Sequence, residues 1–176
     1  ARALADLARE PANQDAIREA GGVDPLVALV REGTPEQQKW AAWALGNLAN
    51  GNAANQDAIR AAGGVHALVW LVRKGVPIQR EWAAPALLSL AFGSAANQDA
   101  IRAAGGLSSV FAQVEKMTVE ELKKALERLG LKKAGGKNAL IERLHATIET
   151  PVVPKVAAAP GVPLPSLNAQ QMPAAQ

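Results

Sequence analysis

The sequence predicts an all-α chain, and three observations carry that reading. A ten-residue block recurs twice more at intervals of 42 residues, and the apolar residues around it fall at helical spacing. Ala supplies much of the 49% of the 176 residues that are hydrophobic, and it has the highest helix propensity of any residue. Strand-favouring aromatics are scarce, with no Tyr and two Phe.

The block reads Asn-Gln-Asp-Ala-Ile-Arg-x-Ala-Gly-Gly at residues 13–22, 55–64 and 97–106, and nine of its ten positions are identical in all three copies. Each unit reads as three helices. The first is short: Asn13, Asn55 and Asn97 are placed to cap it, and the Gly-Gly pair ends it. The second covers residues 23–30, with counterparts at 65–72 and 107–114. Asp24 suits its cap, a position held by His66 and Ser108 in the other units, and Pro25 suits its first turn, where a missing N–H is harmless. The third opens at Thr34-Pro35-Glu36-Gln37, which has capping-box spacing, and continues through a stripe of Trp40, Trp43, Ala44, Leu45 and Leu48. Asn50-Gly51 would mark a hairpin between strands, but helical periods flank it and it reads as a helix stop.

The Asn-Gln-x-x-Ile-Arg-x-Ala-Gly-Gly opening, the Leu-Val-x-Leu-Val second helix and Trp43-Ala-Leu-Gly-Asn-Leu48 resemble the armadillo repeat family. The resemblance covers residues 1–114 and implies a right-handed superhelix of stacked helices. Residues 1–10 look like the end of a preceding third helix, with Leu7 in the place of Leu48. After Val114 no further third helix of that pattern follows, so two full units stand between two partial ones. Each repeat buries its apolar face only against its neighbours, so an array cut at both ends is expected to dock onto a partner.

In peptide-binding members of that family, Trp-x-x-x-Asn on the third helices lines a concave groove. Trp43 and Asn47 match, but the equivalent positions hold Pro85 and Ser89 in the next unit and Arg2 and Asp6 in the preceding one. Two readings stay open: a protein-binding surface using Trp43 and Asn47, or Trp40, Trp43 and Trp82 filling space between repeats. Pro85 falls inside a helix, where it removes a hydrogen bond and is expected to kink the chain or cost up to ~3 kcal/mol.

A different kind of helix begins at Met117-Thr118-Val119-Glu120-Glu121-Leu122. Thr118 and Glu121 have capping-box spacing, and Met117 and Leu122 have that of a hydrophobic staple. Leu122, Ala125, Leu126 and Leu129 form its apolar face, with Lys123, Lys124, Glu127 and Arg128 on the exposed side. Gly130 ends it. A basic turn over residues 132–137 then leads to a second helix with a Leu140, Ile141, Leu144 and Ile148 stripe. Residues 115–150 hold eight basic and six acidic side chains, whereas residues 1–114 hold ten of each. Lysines gathered at a helix start, beside free N–H groups, suit phosphate.

The spacing of Leu122-Lys123, Leu126, Gly130-Leu131, Gly135-x-Lys137 and Leu140-Ile-Glu-Arg-Leu144 resembles the SAP motif, a small helix–extended turn–helix module. Leu129 departs from it, standing where a polar or basic residue is usual. The resemblance implies nucleic-acid contact through Lys123, Lys124, Lys132, Lys133, Gly135, Lys137 and Arg143. Such contacts position a protein on a DNA or RNA backbone without reading bases. The competing reading is that these lysines solvate a protein-docking hairpin.

Residues 151–176 form a Pro/Ala-rich tail, expected to be extended and to gain order only against a partner. Its Val162-Pro-Leu-Pro165 stretch has the composition of a groove ligand or of a linker. The absence of Cys removes disulfides, thiolate metal sites and a Cys nucleophile, and fits a reducing compartment such as the nucleus or an organelle matrix. The chain opens at Ala1 without Met or a signal-peptide pattern, as expected of a processed chain or a fragment. No catalytic pair, metal-ligand spacing or phosphate loop is present in the sequence. The expectation is a non-enzymatic adaptor without cofactor, membrane span or small-molecule substrate, its partners being proteins of a larger assembly and a nucleic-acid backbone. The alternative is a scaffold that contacts proteins alone.

Overall fold

The computed structural model describes residues 1–149, and every regular element among them is an α-helix. The tail lies outside the described residues. Helix α1 (Arg2–Leu7) packs on the third helix of the first full unit, in the place of a preceding third helix. One unit follows as α2 (Pro11–Glu19), α3 (Val23–Glu32) and α4 (Pro35–Ala49), and the next as α5 (Ala53–Ala61), α6 (Gly64–Lys74) and α7 (Pro77–Ala91). Helices α8 (Ala95–Ala103) and α9 (Leu107–Lys116) open a third unit. The hairpin is α10 (Val119–Arg128) and α11 (Lys137–Glu149).

The helix boundaries follow local chemistry, with two corrections. Thr34 caps α4 and completes the expected capping box with Gln37. Asn50-Gly51 stops α4, with Gly51 in the left-handed region at φ +69°. The asparagines of the repeat do not cap the short helices. Asn52 and Ser94, three residues earlier, accept from the N–H of Asn55 and Asn97, while Glu10 precedes α2 without a side-chain cap bond. Nor do Asp24, His66 and Ser108 cap the second helices, which begin one or two residues earlier after Gly22, Gly63 and Gly106. The Gly pair explains this early start. Gly63 takes φ +77° to end α5, and a Cβ on Gly64 would lie 2.6 Å from Ile59 Cγ2, so α6 starts in contact with the helix before it.

Freed from capping, the Asn-Gln pair stitches the array together. Buried Asn55 donates from Nδ2 to Leu48 O at 3.0 Å and to Gln14 O at 3.2 Å. Gln14 Nε2 donates to Ala8 O at 3.3 Å and Asn47 O at 2.9 Å, and Gln56 Nε2 to Ala49 O at 3.1 Å and Ser89 O at 3.0 Å. Each Gln thus satisfies terminal carbonyls of the third helices on both sides, groups that a helix leaves without a partner of its own.

Gln98 makes the same two bonds, and the second one overturns the expectation of an open end. Its Nε2 donates to Ala91 O at 3.3 Å and to Thr147 O at 2.8 Å, on α11. Thr147 stands where Asn47 and Ser89 stand in the preceding units. Ile148 is fully buried, like Leu48 and Leu90. Helix α11 therefore fills the third-helix place of the last unit and covers the end of the array from within the chain. The sequence hid this because α10 and the basic turn intervene between α9 and the helix that completes its unit.

Helices α4 and α7 form the centre of the core. Gly46 lets them close up, since a Cβ there would lie 3.0 Å from Ala86 Cα. Pro85 sits beside this contact, and α7 runs on through it as a single helix from Pro77 to Ala91.

Candidate nucleic-acid interface

Helix α10 starts at a capping box: Thr118 Oγ1 accepts from Glu121 N at 3.3 Å, and Glu121 Oε2 accepts from Thr118 N at 2.6 Å. Donation from the Thr118 backbone N–H and hydroxyl holds the Glu121 carboxyl below the ordinary range. The helix ends at Gly130 (φ +66°), where Leu131 N donates to Leu126 O at 2.8 Å and Gly130 N to Glu127 O at 3.0 Å. That paired closure turns the chain out into the basic segment. The apolar stripe is as expected: Leu122, Leu126, Leu140, Leu144 and Ile148 are fully buried.

The turn is shaped by Arg143. Its Nη1 donates to Lys132 O at 2.6 Å and to Ala134 O at 3.2 Å, tying the extended segment to α11. Gly135 (φ +112°) passes close to that helix, and a Cβ on it would lie 3.0 Å from Ala139 Cβ. Arg143 and Gly135 thus set the shape of the turn. Lys132, Lys133 and Lys137 are all exposed on it, with Lys137 at the first position of α11. Lys133 Nζ bonds Glu127 Oε1 at 2.7 Å and holds that carboxyl low, while Lys123 pairs with Glu120 at 3.1 Å. Lys132 and Lys137 form no ion pair among the described residues, which leaves them as the two free cations of the turn.

The structure does not bring all seven nucleic-acid candidates together. Lys124 points to the other side of α10, which lies over the inner face of the array. Two clefts open there. One of ≈ 430 Å³ is lined by Trp82, Pro85, Met117 and Lys124, and one of ≈ 490 Å³ by Arg9, Trp43, Asn47, Lys124 and Arg128. Arg128, expected on the exposed face of its helix, is half-buried in both. Burial and then the neighbouring Arg9 push its guanidinium below its ordinary value. Residues Arg9 and Arg128 carry no motif signal, since only the docking of α10 brings them together.

Of the two readings of Trp43 and Asn47, the contacts favour packing. Asn47 is 6% exposed and donates from Nδ2 to Ala5 O at 2.9 Å, a bond across equivalent third helices. Trp43 lies 5.3 Å from Trp40 and 5.2 Å from Trp82 between ring centroids, so the three rings bridge α4 and α7.

The armadillo/beta-catenin-like repeat family matches residues 10–50, and the SAP domain family matches residues 113–146. The chain carries an armadillo-like repeat followed by a SAP domain. The SAP match spans the last residues of α9 together with α10, the turn and most of α11, the region that also closes the array. Two crystal structures from the Northeast Structural Genomics Consortium, both titled as an engineered protein, share the fold. One is 34% identical with a TM-score of 0.62, over 81% of this chain and 54% of its own. The other is 30% identical with a TM-score of 0.62, over 84% of this chain and 41% of its own. This chain therefore spans about half the length of one and two fifths of the other. No curated protein matches it. An armadillo repeat suggests protein interaction, and a SAP domain suggests nucleic-acid contact.

Proposed function

We propose that the chain is a non-enzymatic adaptor whose SAP domain contacts the phosphate backbone of DNA or RNA while the armadillo helices hold protein neighbours in a larger assembly. The observation that supports it most is the turn: Lys132 and Lys137 are exposed and unpaired among the described residues, on a segment that Arg143 fixes at the start of α11. Donors and cations held in place at a helix N-terminus suit phosphate oxygens. No aromatic residue stands on the turn to stack on bases, so the contact positions the chain without reading sequence.

Binding to a DNA duplex and to a structured RNA, titrated with salt, tests this. Three phosphate contacts predict that raising salt from about 50 to 200 mM weakens duplex binding roughly 40-fold. Lys132→Ala/Lys133→Ala/Lys137→Ala is expected to weaken binding about 10-fold or more and to flatten the log–log slope by up to about three units. An unchanged affinity and slope in that variant would leave a scaffold that contacts proteins alone.

A further inference from the structure

The cleft of ≈ 490 Å³ between α10 and the N-terminal helices gathers Arg9, Lys124 and Arg128 around a space with a single carboxylate, Glu127, on its wall. We propose that it is a second anion site, distinct from the basic turn, and that it takes a phosphate group. The proposal goes beyond the adaptor reading, and it uses none of the turn's lysines.

Charge is the first argument. Three cations face one carboxylate, Glu127, whose Oε1 is already held by Lys133 at 2.7 Å. Arg9, Lys124 and Arg128 form no ion pair among the described residues. Burial is the second. A guanidinium taken out of water beside a like charge is costly unless an acceptor meets it, and Arg128 is half-buried against Arg9 with no such acceptor among the described residues. A bound dianion would remove both the repulsion and the unmet donors.

The remaining polar groups on the walls carry no charge apart from Glu127. The Gln14 and Asn47 amides donate to main-chain carbonyls within the repeat ladder. The Asn50 side chain on the wall makes no hydrogen bond among the described residues, and the Trp43 indole N–H is buried without an acceptor among them. The charged groups left without a partner in the cleft are therefore cations. Arg presents a planar fork of donors that fits phosphate with two bonds at once, which favours phosphate over a spherical anion such as chloride. The volume admits a phosphate together with an ester substituent, so a backbone phosphodiester and a small phosphorylated compound share the chemistry.

Thermal unfolding of the full chain at fixed ionic strength, with chloride exchanged for inorganic phosphate, tests the site. Wild type is expected to gain a saturable rise in Tm, because a ligand that binds only the folded state stabilises it. Arg9→Gln/Arg128→Gln is expected to bind phosphate at least about 10-fold more weakly. Without phosphate it should melt no lower than wild type, since a repulsive pair has been removed. Lys132→Ala/Lys137→Ala should keep the phosphate effect. If the double Gln variant does not fold, Lys124→Gln at the exposed rim carries the same expectation at several-fold. A phosphate rise that persists undiminished in the cleft variants, or that vanishes only in the turn variant, overturns the proposal, as does no rise in wild type. A saturating duplex added to wild type then identifies the source: loss of the phosphate effect assigns the cleft to the backbone, and its persistence to a small phosphorylated compound.

Discussion

The two ends of the array hold equivalent residues in opposite environments. Leu7, at the end of α1, is 52% exposed, while Ile148, near the end of α11, is fully buried, and Leu48 and Leu90 between them are also fully buried. A stacked repeat hides its apolar face only against a neighbour. At the C-terminal end this chain supplies the neighbour itself, with a SAP-domain helix that bonds to Gln98 as α4 and α7 bond to Gln14 and Gln56. One helix thus starts at the basic turn and ends as the cover of the helical array, so the SAP domain is built onto the array rather than tethered behind it.

The largest expected contrast lies along this row of leucines. Leu90→Ala should cost about 2–5 kcal/mol, the range for truncating a buried leucine, whereas Leu7→Ala should cost within about 0.5 kcal/mol, as surface changes do. Urea unfolding compares them, and equal losses would mean that Leu7 is packed as tightly as the interior of the array. A smaller effect is expected from the amide ladder. Gln98→Ala strips the donor from Ala91 O and Thr147 O and should cost about 1–3 kcal/mol, close to the value for Gln56→Ala. If Gln98→Ala is silent while Gln56→Ala is not, α11 is not held as a third helix.

The smallest effect concerns the start of α10. Thr118→Ala should cost about 1 kcal/mol through loss of the cap. The Glu121 carboxyl titrates below its ordinary value of 4.5 in the folded chain, so its contribution is present above the unfolded value and fades as pH falls through the folded one. Glu121→Gln should therefore reduce the stability lost between about pH 7 and pH 3, as measured by the urea midpoint at each pH.

Much of this architecture is legible in the residues. The 42-residue period gives the helices of the array, Thr34 and Thr118 announce their capping boxes, and the Leu122 and Leu140 stripes define the hairpin. The asparagines mislead because Asn at a helix start is a good cap, while its competitors Asn52 and Ser94 lie three residues earlier and win the N–H. The closing role of α11 has no local signature, because Thr147-Ile148 falls in phase with Ser89-Leu90 only after α10 has folded back across the inner face. For the same reason the basic residues divide in space where the sequence shows a single cluster. Lys132 and Lys137 face outward, while Lys124 and Arg128 face the array.

The most direct test of that joint construction uses the position of the tryptophans. All four, Trp40, Trp43, Trp70 and Trp82, lie in the armadillo helices and none in the SAP domain. Ile148→Ala alters only α11, so tryptophan fluorescence during urea unfolding reports whether the array senses the change. A single transition is expected, its midpoint falling by the equivalent of about 2–5 kcal/mol, as for Leu90→Ala. An unchanged fluorescence midpoint, with amide protection lost from α11 alone, would contradict it.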